Sequence, residues 1–394
     1  MKRVRAAFAV FAAMTLVVSA CSKSTTTSGG TTGGGAKIVD SIGQGEGKLS
    51  LVAWPGYTQK SWVAPFETET GCKVEVKPGN TSDQMVNLMR QGGGSLYDGV
   101  SASGDASNRL IAGGDVAGID VNKLFPEYAN VMQSLQSPAH NTVDGVHYGV
   151  PYMWGPNILM YNTDVVDPAP TSWDQVFESG SPYAGKVTAY DSPIYIADAA
   201  MYLMSHQPDL GITDPYELSQ AQLAAATTLL KTQAAMVKKY WAVYTDEIDG
   251  FESGDMVIGT AWPVNQSVIV ADKTVPVSSV IPSEGVTGWA DTWMMSTNAP
   301  HPNCMLKWME YTLRPDVQTQ VAEYYGATPS NTGSCAQLSR DLGKDAVNYH
   351  CGDDAFLSKV FLWKTPLADC GDSRGATCMD YNAWTQAWLT IRGG

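Results

Sequence analysis

The chain has 394 residues, 44% of them hydrophobic and 16% charged, which is enough for two domains that each bury a core. Its 25 Lys and Arg stand against 39 Asp and Glu, a net charge of −14. That sign argues against a nucleic-acid partner, which requires a basic face, and the plentiful aromatic residues argue against disorder.

Lys2, Arg3 and Arg5 open the chain, and Ala6 to Val18 is an apolar run of 13 residues. A membrane-spanning helix needs about 20, so the run reads as the core of a signal peptide. It ends in Val18-Ser19-Ala20-Cys21, which looks like the lipobox of bacterial lipoproteins. Residues 1–21 are therefore expected to be a leader with Cys21 as the lipidated residue. Residues 22–46 are expected to be a flexible tether, since 22–35 is Ser, Thr or Gly at every position except Lys23. The body is then expected outside the cytoplasm, in the periplasm or at the cell surface, anchored by lipid.

The body alternates strand and helix patterns. Leu49 to Trp54 reads as a strand, and Thr58 to Thr70 as a helix stopped by Gly71. Cys72 to Val76 alternates as a strand, and Thr81 or Ser82 can cap a helix buried through Met85, Leu88 and Met89. A strand at Gly99 to Ser101, a helix at Ala106 to Ala112 and a strand at His147 to Val150 follow. This order implies a mostly parallel sheet covered by helices. Beyond Asn157 to Tyr161 a second set begins, with helices at Ala197 to Ser205 and Leu218 to Tyr240 and a strand at Met256 to Ala261. Trp293 to Ser296 reads as a strand, then Asn303 to Thr312 and Asp316 to Tyr324 as helices, with Pro315 suited to the start of the second.

Apart from Cys21 there are six cysteines, an even number that in an exported chain suggests disulfides. Cys370 and Cys378 flank a polar loop and are the easiest local pair. Cys335 and Cys351 can close a second loop, leaving Cys72 and Cys304 for a long-range bridge, although fifteen pairings exist. No C-x-x-C occurs, and His350 before Cys351 is the only His beside a Cys, so no metal site is expected. No nucleophile elbow, P-loop or H-E-x-x-H is present, and no cofactor is expected. The adjacent Tyr324 and Tyr325 end a predicted helix and read as core packing.

Aromatic residues beside carboxylates are the informative feature. Trp54, Trp262 and Trp289 follow or bridge predicted strands, where ligands of open α/β sheets are held. An indole face attracts an organic cation by about 0.5 to 2 kcal/mol, and a hydrogen bond to a carboxylate adds about 1.5 to 3. Asp191 and Asp291 are placed to supply that carboxylate, with Asp105 a third candidate whose bland role is to satisfy a helix N-terminus.

Five segments carry a resemblance. They are Ala53-Trp54-Pro55-Gly56-Tyr57, Ser101-Ala102-Ser103-Gly104-Asp105-Ala106-Ser107 and Pro151-Tyr152-Met153-Trp154-Gly155-Pro156-Asn157, then Ala189 to Asp198 and Glu284 to Asp291. On these, residues 47–391 resemble the polyamine-type (spermidine/putrescine) substrate-binding proteins of ABC transporters, including a member also described as a polyhydroxybutyrate synthase. The resemblance implies an α/β, two-lobed periplasmic-binding-protein (type II) flytrap, with 47–154 and 291–394 in the first lobe and 155–290 in the second. It implies a monomer that receives a small cationic amine and delivers it to permease subunits. Trp54 and Tyr57 match an aromatic wall, Ser103 a strand-end hydroxyl and Trp262 another wall. Trp289 and Asp291 match a clamp on one amine, and Asp191 an acid that holds the other end. Asp105 stands where an aromatic is usual, and Ile194 where a second acid is usual. The alternatives are a polymerising enzyme, which needs an activated thiolate or hydroxyl that no motif supplies, or a receptor for a sugar or an amino acid derivative.

Overall fold

The computed structural model describes residues 38–393. The expected leader, Cys21 and the Ser/Thr/Gly stretch lie outside the described residues. Residues 38–46, expected to belong to the tether, are attached to the body. Ile38–Val39 pairs with Gly118–Ile119, and the Glu46 carboxylate accepts from the backbone of Asn303 and Cys304.

The longer elements begin with β1 (Lys48–Ala53), α1 (Lys60–Thr70), β2 (Lys73–Pro78), α2 (Ser82–Arg90), β3 (Gly99–Ala102) and α3 (Gly104–Ala112). In α1 the buried residues are Trp62 and Phe66, one turn apart, and Gly71 ends the helix in the left-handed region at φ 73°. Thr81 caps α2 by accepting from Gln84 N–H, and Met85, Leu88 and Met89 are buried as their spacing predicts.

The chain continues through β4 (Val150–Pro156), β5 (Ile158–Asn162), β6 (Val187–Tyr190), α4 (Ile196–His206), α5 (Gln220–Ala234) and β7 (Val237–Trp241). Then come α6 (Tyr244–Glu252), β8 (Ile258–Ala261), α7 (Pro263–Asp272), β9 (Val277–Val280) and β10 (Val286–Met295). The last part holds α8 (Pro302–Thr312), α9 (Pro315–Tyr325), β11 (Thr328–Pro329), α10 (Cys335–Leu342), β12 (Val360–Leu362) and α11 (Tyr381–Arg392). Leu218 to Tyr240 is thus not one helix. It ends at Ala234, and Val237–Trp241 forms an edge strand on β6 because pairing there outweighs local helix preference.

Two sheets frame the two lobes. A seven-stranded sheet has the order β11-β4-β10-β3-β1-β2, with β12 beside β10, and a five-stranded sheet has the order β7-β6-β8-β5-β9. β1, β2 and β3 are parallel, as are β6, β7 and β8. β10, however, runs antiparallel between β3 and β4, so the first sheet is mixed. Asn157 alone separates β4 from β5, and its N–H and side-chain amide bond Thr287 at 2.8 and 2.7 Å. The chain returns between the sheets at 281–285, so a division after residue 290 would cut β10. Nor does 291–394 return whole to the first lobe. α8 and α9 pack on the seven-stranded sheet, whereas α11 packs against α5 of the second lobe.

Three disulfides join Cys72 to Cys304, Cys335 to Cys351 and Cys370 to Cys378. Among the described residues no helix is long and apolar enough to cross a membrane.

Candidate functional site

β1, β3 and β8 each release a functional residue at their carboxyl ends, which face a common cleft. β1 delivers Trp54 and Tyr57, β3 delivers Ser103, and β8 delivers Trp262, the residue that opens α7. β10 contributes Trp289 and Asp291 from mid-strand. Its register against β4 shifts between Ala290 and Thr292, an irregularity that re-aims side chains. Trp289 pairs with Gly155, and a Cβ at Gly155 would come within 2.9 Å of the indole.

These residues enclose a cavity of about 450 Å³, mouth included. Trp54 meets Trp262 edge-on across the cleft with centroids 5.9 Å apart, so the two lobes share one aromatic lining. Tyr244, Tyr325, Asn80 and Trp363 complete it, and sequence reasoning missed all four as site residues. Tyr325 is not merely core. Its hydroxyl donates to Pro55 O, and its ring lies 4.8 Å from that of Tyr57. Trp363 reaches the cavity because its N–H donates to Gly288 O beyond the end of β12. Tyr244, Tyr325 and Trp363 offered only their aromatic character as a hint, and Asn80 offered none.

Asp291 is 3% exposed. Its Oδ2 accepts from the Tyr57 hydroxyl at 2.5 Å and its Oδ1 from the Ser103 hydroxyl. Among the described residues no Lys, Arg or His pairs with it. Burial pushes its carboxyl up to about 7, while the Ser103 and Tyr57 hydroxyls pull the other way. The result is a buried acid without a cationic partner among the described residues, beside aromatic faces.

Asp191 lies in an adjoining chamber of about 290 Å³ that shares Trp54, Asn80, Ala242, Trp262 and Trp363 with the first. Unlike Asp291 it already has a cationic partner. Trp388 Nε1 donates to it at 2.9 Å, and Arg392 pairs with it at 3.2 Å. Asp105 lines neither chamber. It is buried between α2 and α3, accepts from the Ser82 hydroxyl at 2.8 Å, and is pushed by burial up to about 6. Nor does it cap α3. Ser103 occupies the cap position and gives its hydroxyl to Asp291 instead.

Away from the cleft, carboxylate oxygens of Asp174 and Glu178 and a ring nitrogen of His206 lie within 4.8 Å of one another. Tyr202 donates to both acids at 2.8 Å, and His206 meets Glu284 at 3.1 Å, so hydrogen bonds account for the cluster.

Residues 61–346 match the family model of the bacterial extracellular solute-binding proteins. The chain belongs to that family. This solute-binding protein is 27% identical over 317 residues to the spermidine/putrescine-binding periplasmic protein of Escherichia coli, covering 80% of this chain and 85% of the relative. It is 25% identical over 360 residues to the putrescine-binding periplasmic protein SpuD of Pseudomonas aeruginosa, covering 88% and 92%. Among solved structures it is similar to the spermidine/putrescine ABC transporter substrate-binding protein of Streptococcus pneumoniae, with a TM-score of 0.68 at 18% identity over 88% of this chain and 98% of the other. It is also similar to a lipoprotein of Treponema pallidum, with a TM-score of 0.65 at 18% identity over 88% and 98%. At that identity the likeness establishes the two-lobed fold, which agrees with the two sheets. The similar curated proteins are binding proteins rather than enzymes.

Proposed function

We propose that this solute-binding protein is the receptor of an ABC importer and captures a small aliphatic amine between its lobes. One observation carries the reading. Asp291 is a buried carboxylate with two hydroxyl donors and no cation among the described residues, and it opens onto indole faces. An ammonium group seated there supplies the missing charge, and Trp54, Trp262 and Trp289 cover its methylenes. The polyamine ligands named for the similar periplasmic proteins support the same class.

In this reading Cys21 carries the lipid, the protein acts as a monomer outside the cytoplasm, and membrane-embedded permease subunits accept the amine from the closed form. A thioester-polymerising role is disfavoured, because the six cysteines of the body are paired and leave the described residues without a thiolate nucleophile. The test is a thermal-shift panel of butylamine, 4-aminobutan-1-ol, putrescine, spermidine, glucose and glutamate at pH 8. Stabilisation by amines alone supports the proposal. A shift with glucose or glutamate and none with any amine overturns it.

A further inference from the structure

The structure assigns Arg392 as the residue that sets ligand charge. By neutralising Asp191 it leaves the adjoining chambers with one unpaired anion, so that they take a monocationic amine with an uncharged polar tail rather than a diamine. The inference rests on the amine reading of the cavity and narrows it.

Arg392 closes α11, and Trp388 stands four residues earlier on the same helix face. Both side chains converge on one carboxylate. Trp388 Nε1 donates to Asp191 Oδ1 at 2.9 Å, Arg392 Nε lies 3.2 Å from the same oxygen, and Arg392 Nη2 donates to Oδ2 at 3.3 Å. The guanidinium also lies over the Tyr240 ring, 4.3 Å from its centroid. A carboxylate and an aromatic face therefore hold the same cation. The two side chains keep 37% and 31% exposure; Asp191 lines the chamber, and Arg392 holds it from outside that lining. An exposed pair of this kind contributes little to stability, but it still decides the local charge that a ligand meets.

The contrast with Asp291 is what gives the pair its meaning. Asp291 receives only hydroxyl donors, whereas Asp191 receives a full positive charge. The two chambers share Trp54, Trp262 and Trp363 in their walls, which places Asp191 in the chamber next to the one that holds Asp291, within range of a ligand extended past these rings. A second ammonium arriving beside Asp191 would meet an already neutral pair and the like charge of Arg392. A hydroxyl or amide would instead find Asn80, Thr81 and Ser192 in the chamber wall. Nothing near Arg392 in sequence signals this, because Arg392 and Asp191 are 201 positions apart.

The experiment is calorimetric titration of putrescine and 4-aminobutan-1-ol, which have the same chain length, at pH 8 and low salt. Wild type is compared with Arg392→Gln, Arg392→Lys, Asp191→Asn and the double variant Asp191→Asn/Arg392→Gln. Wild type is expected to bind 4-aminobutan-1-ol at least as tightly as putrescine. Arg392→Gln exposes the acid and shifts the ratio toward putrescine by about tenfold or more, a gain that the double variant loses. Arg392→Lys keeps the wild-type ratio. Asp191→Asn, which leaves the cation alone, moves the ratio the opposite way, so the idea stays testable if one variant folds poorly. A wild-type preference for putrescine above tenfold, or an unchanged ratio in both single-residue removals, overturns the inference while leaving the amine receptor standing. Failure of both amines to bind wild type overturns the receptor reading and the inference together.

Discussion

The Tyr57 hydroxyl donates to Asp291 at 2.5 Å, tying the turn after β1 to the middle of β10 across 234 positions of sequence. Tyr57 is 1% exposed and Asp291 3%, so the bond holds the carboxylate in a dry place where an ammonium would interact strongly. Asp291→Asn is expected to weaken binding of 4-aminobutan-1-ol by about 2 to 5 kcal/mol, because the ammonium would be buried without its partner. Tyr57→Phe removes one neutral donor and should cost about 1 kcal/mol. Calorimetry on both variants checks the order, and equal affinity of Asp291→Asn and wild type would refute the clamp.

Binding should also depend on pH in a definite direction. Burial lifts the Asp291 carboxyl to about 7 from an ordinary 3.8. A cation selects the ionised form, so amine affinity should rise from pH 5 to pH 8 and then level off. Stability of the free protein should move the other way. Between about 4 and 7 the folded state keeps a proton that the unfolded state has released, so raising the pH through that window destabilises the fold. Asp198, lifted by burial to about 7, and Asp105, lifted to about 6, act in the same sense. Thermal unfolding of wild type and Asp291→Asn should therefore diverge as pH rises, with the variant losing less stability. Parallel curves would place the titration elsewhere.

Much of this site was legible because strand ends announce themselves. Apolar runs stopped by Trp54-Pro55-Gly56 and Trp262-Pro263 marked two walls, and both line the cavity. The direction of β10 was not legible, since an apolar run reads the same whether its neighbours are parallel or antiparallel. Trp363 and Arg392 were hidden for a related reason. Each acts through a partner far away in sequence, Gly288 for one and Asp191 for the other. The Val237–Trp241 strand was hidden because Lys238, Lys239 and Tyr240 continue a helical run, and only pairing with β6 reveals the change. Asp105 misled because its position near the start of α3 suggested a cap, while Ser82 on a separate helix takes its oxygen.

Gly155 tests the wall without touching its chemistry. A methyl group there would sit 2.9 Å from the Trp289 indole, so Gly155→Ala must displace the ring or the strand. We expect amine affinity to fall by about tenfold while the protein remains folded, since the indole borders the cavity and has room to shift. Trp289→Ala should lose at least as much affinity, through lost stacking area. If Gly155→Ala binds as wild type does, the ring is not a contact surface for the ligand.

The disulfides separate stability from selectivity. Cys72 and Cys304 are 232 positions apart and neither lines the cavity, so their bridge acts on the unfolded chain more than on the site. In the loop-entropy account, closing a loop of that size is worth roughly 5.5 kcal/mol, and an 8-position loop about half of that. Replacing both Cys72 and Cys304 by Ala should therefore lower the denaturation midpoint more than replacing both Cys370 and Cys378. The short bridge sits just ahead of α11, where Met379 N–H donates to Leu218 O and helps dock that helix against the second lobe. Losing it should loosen the platform that carries Trp388 and Arg392. The expected pattern is a large stability loss with unchanged amine preference for the long bridge. For the short bridge it is a smaller stability loss with a shift toward the diamine. Denaturant titration and calorimetry on the two pairs of variants measure both quantities, and the reverse pattern would detach α11 from ligand choice.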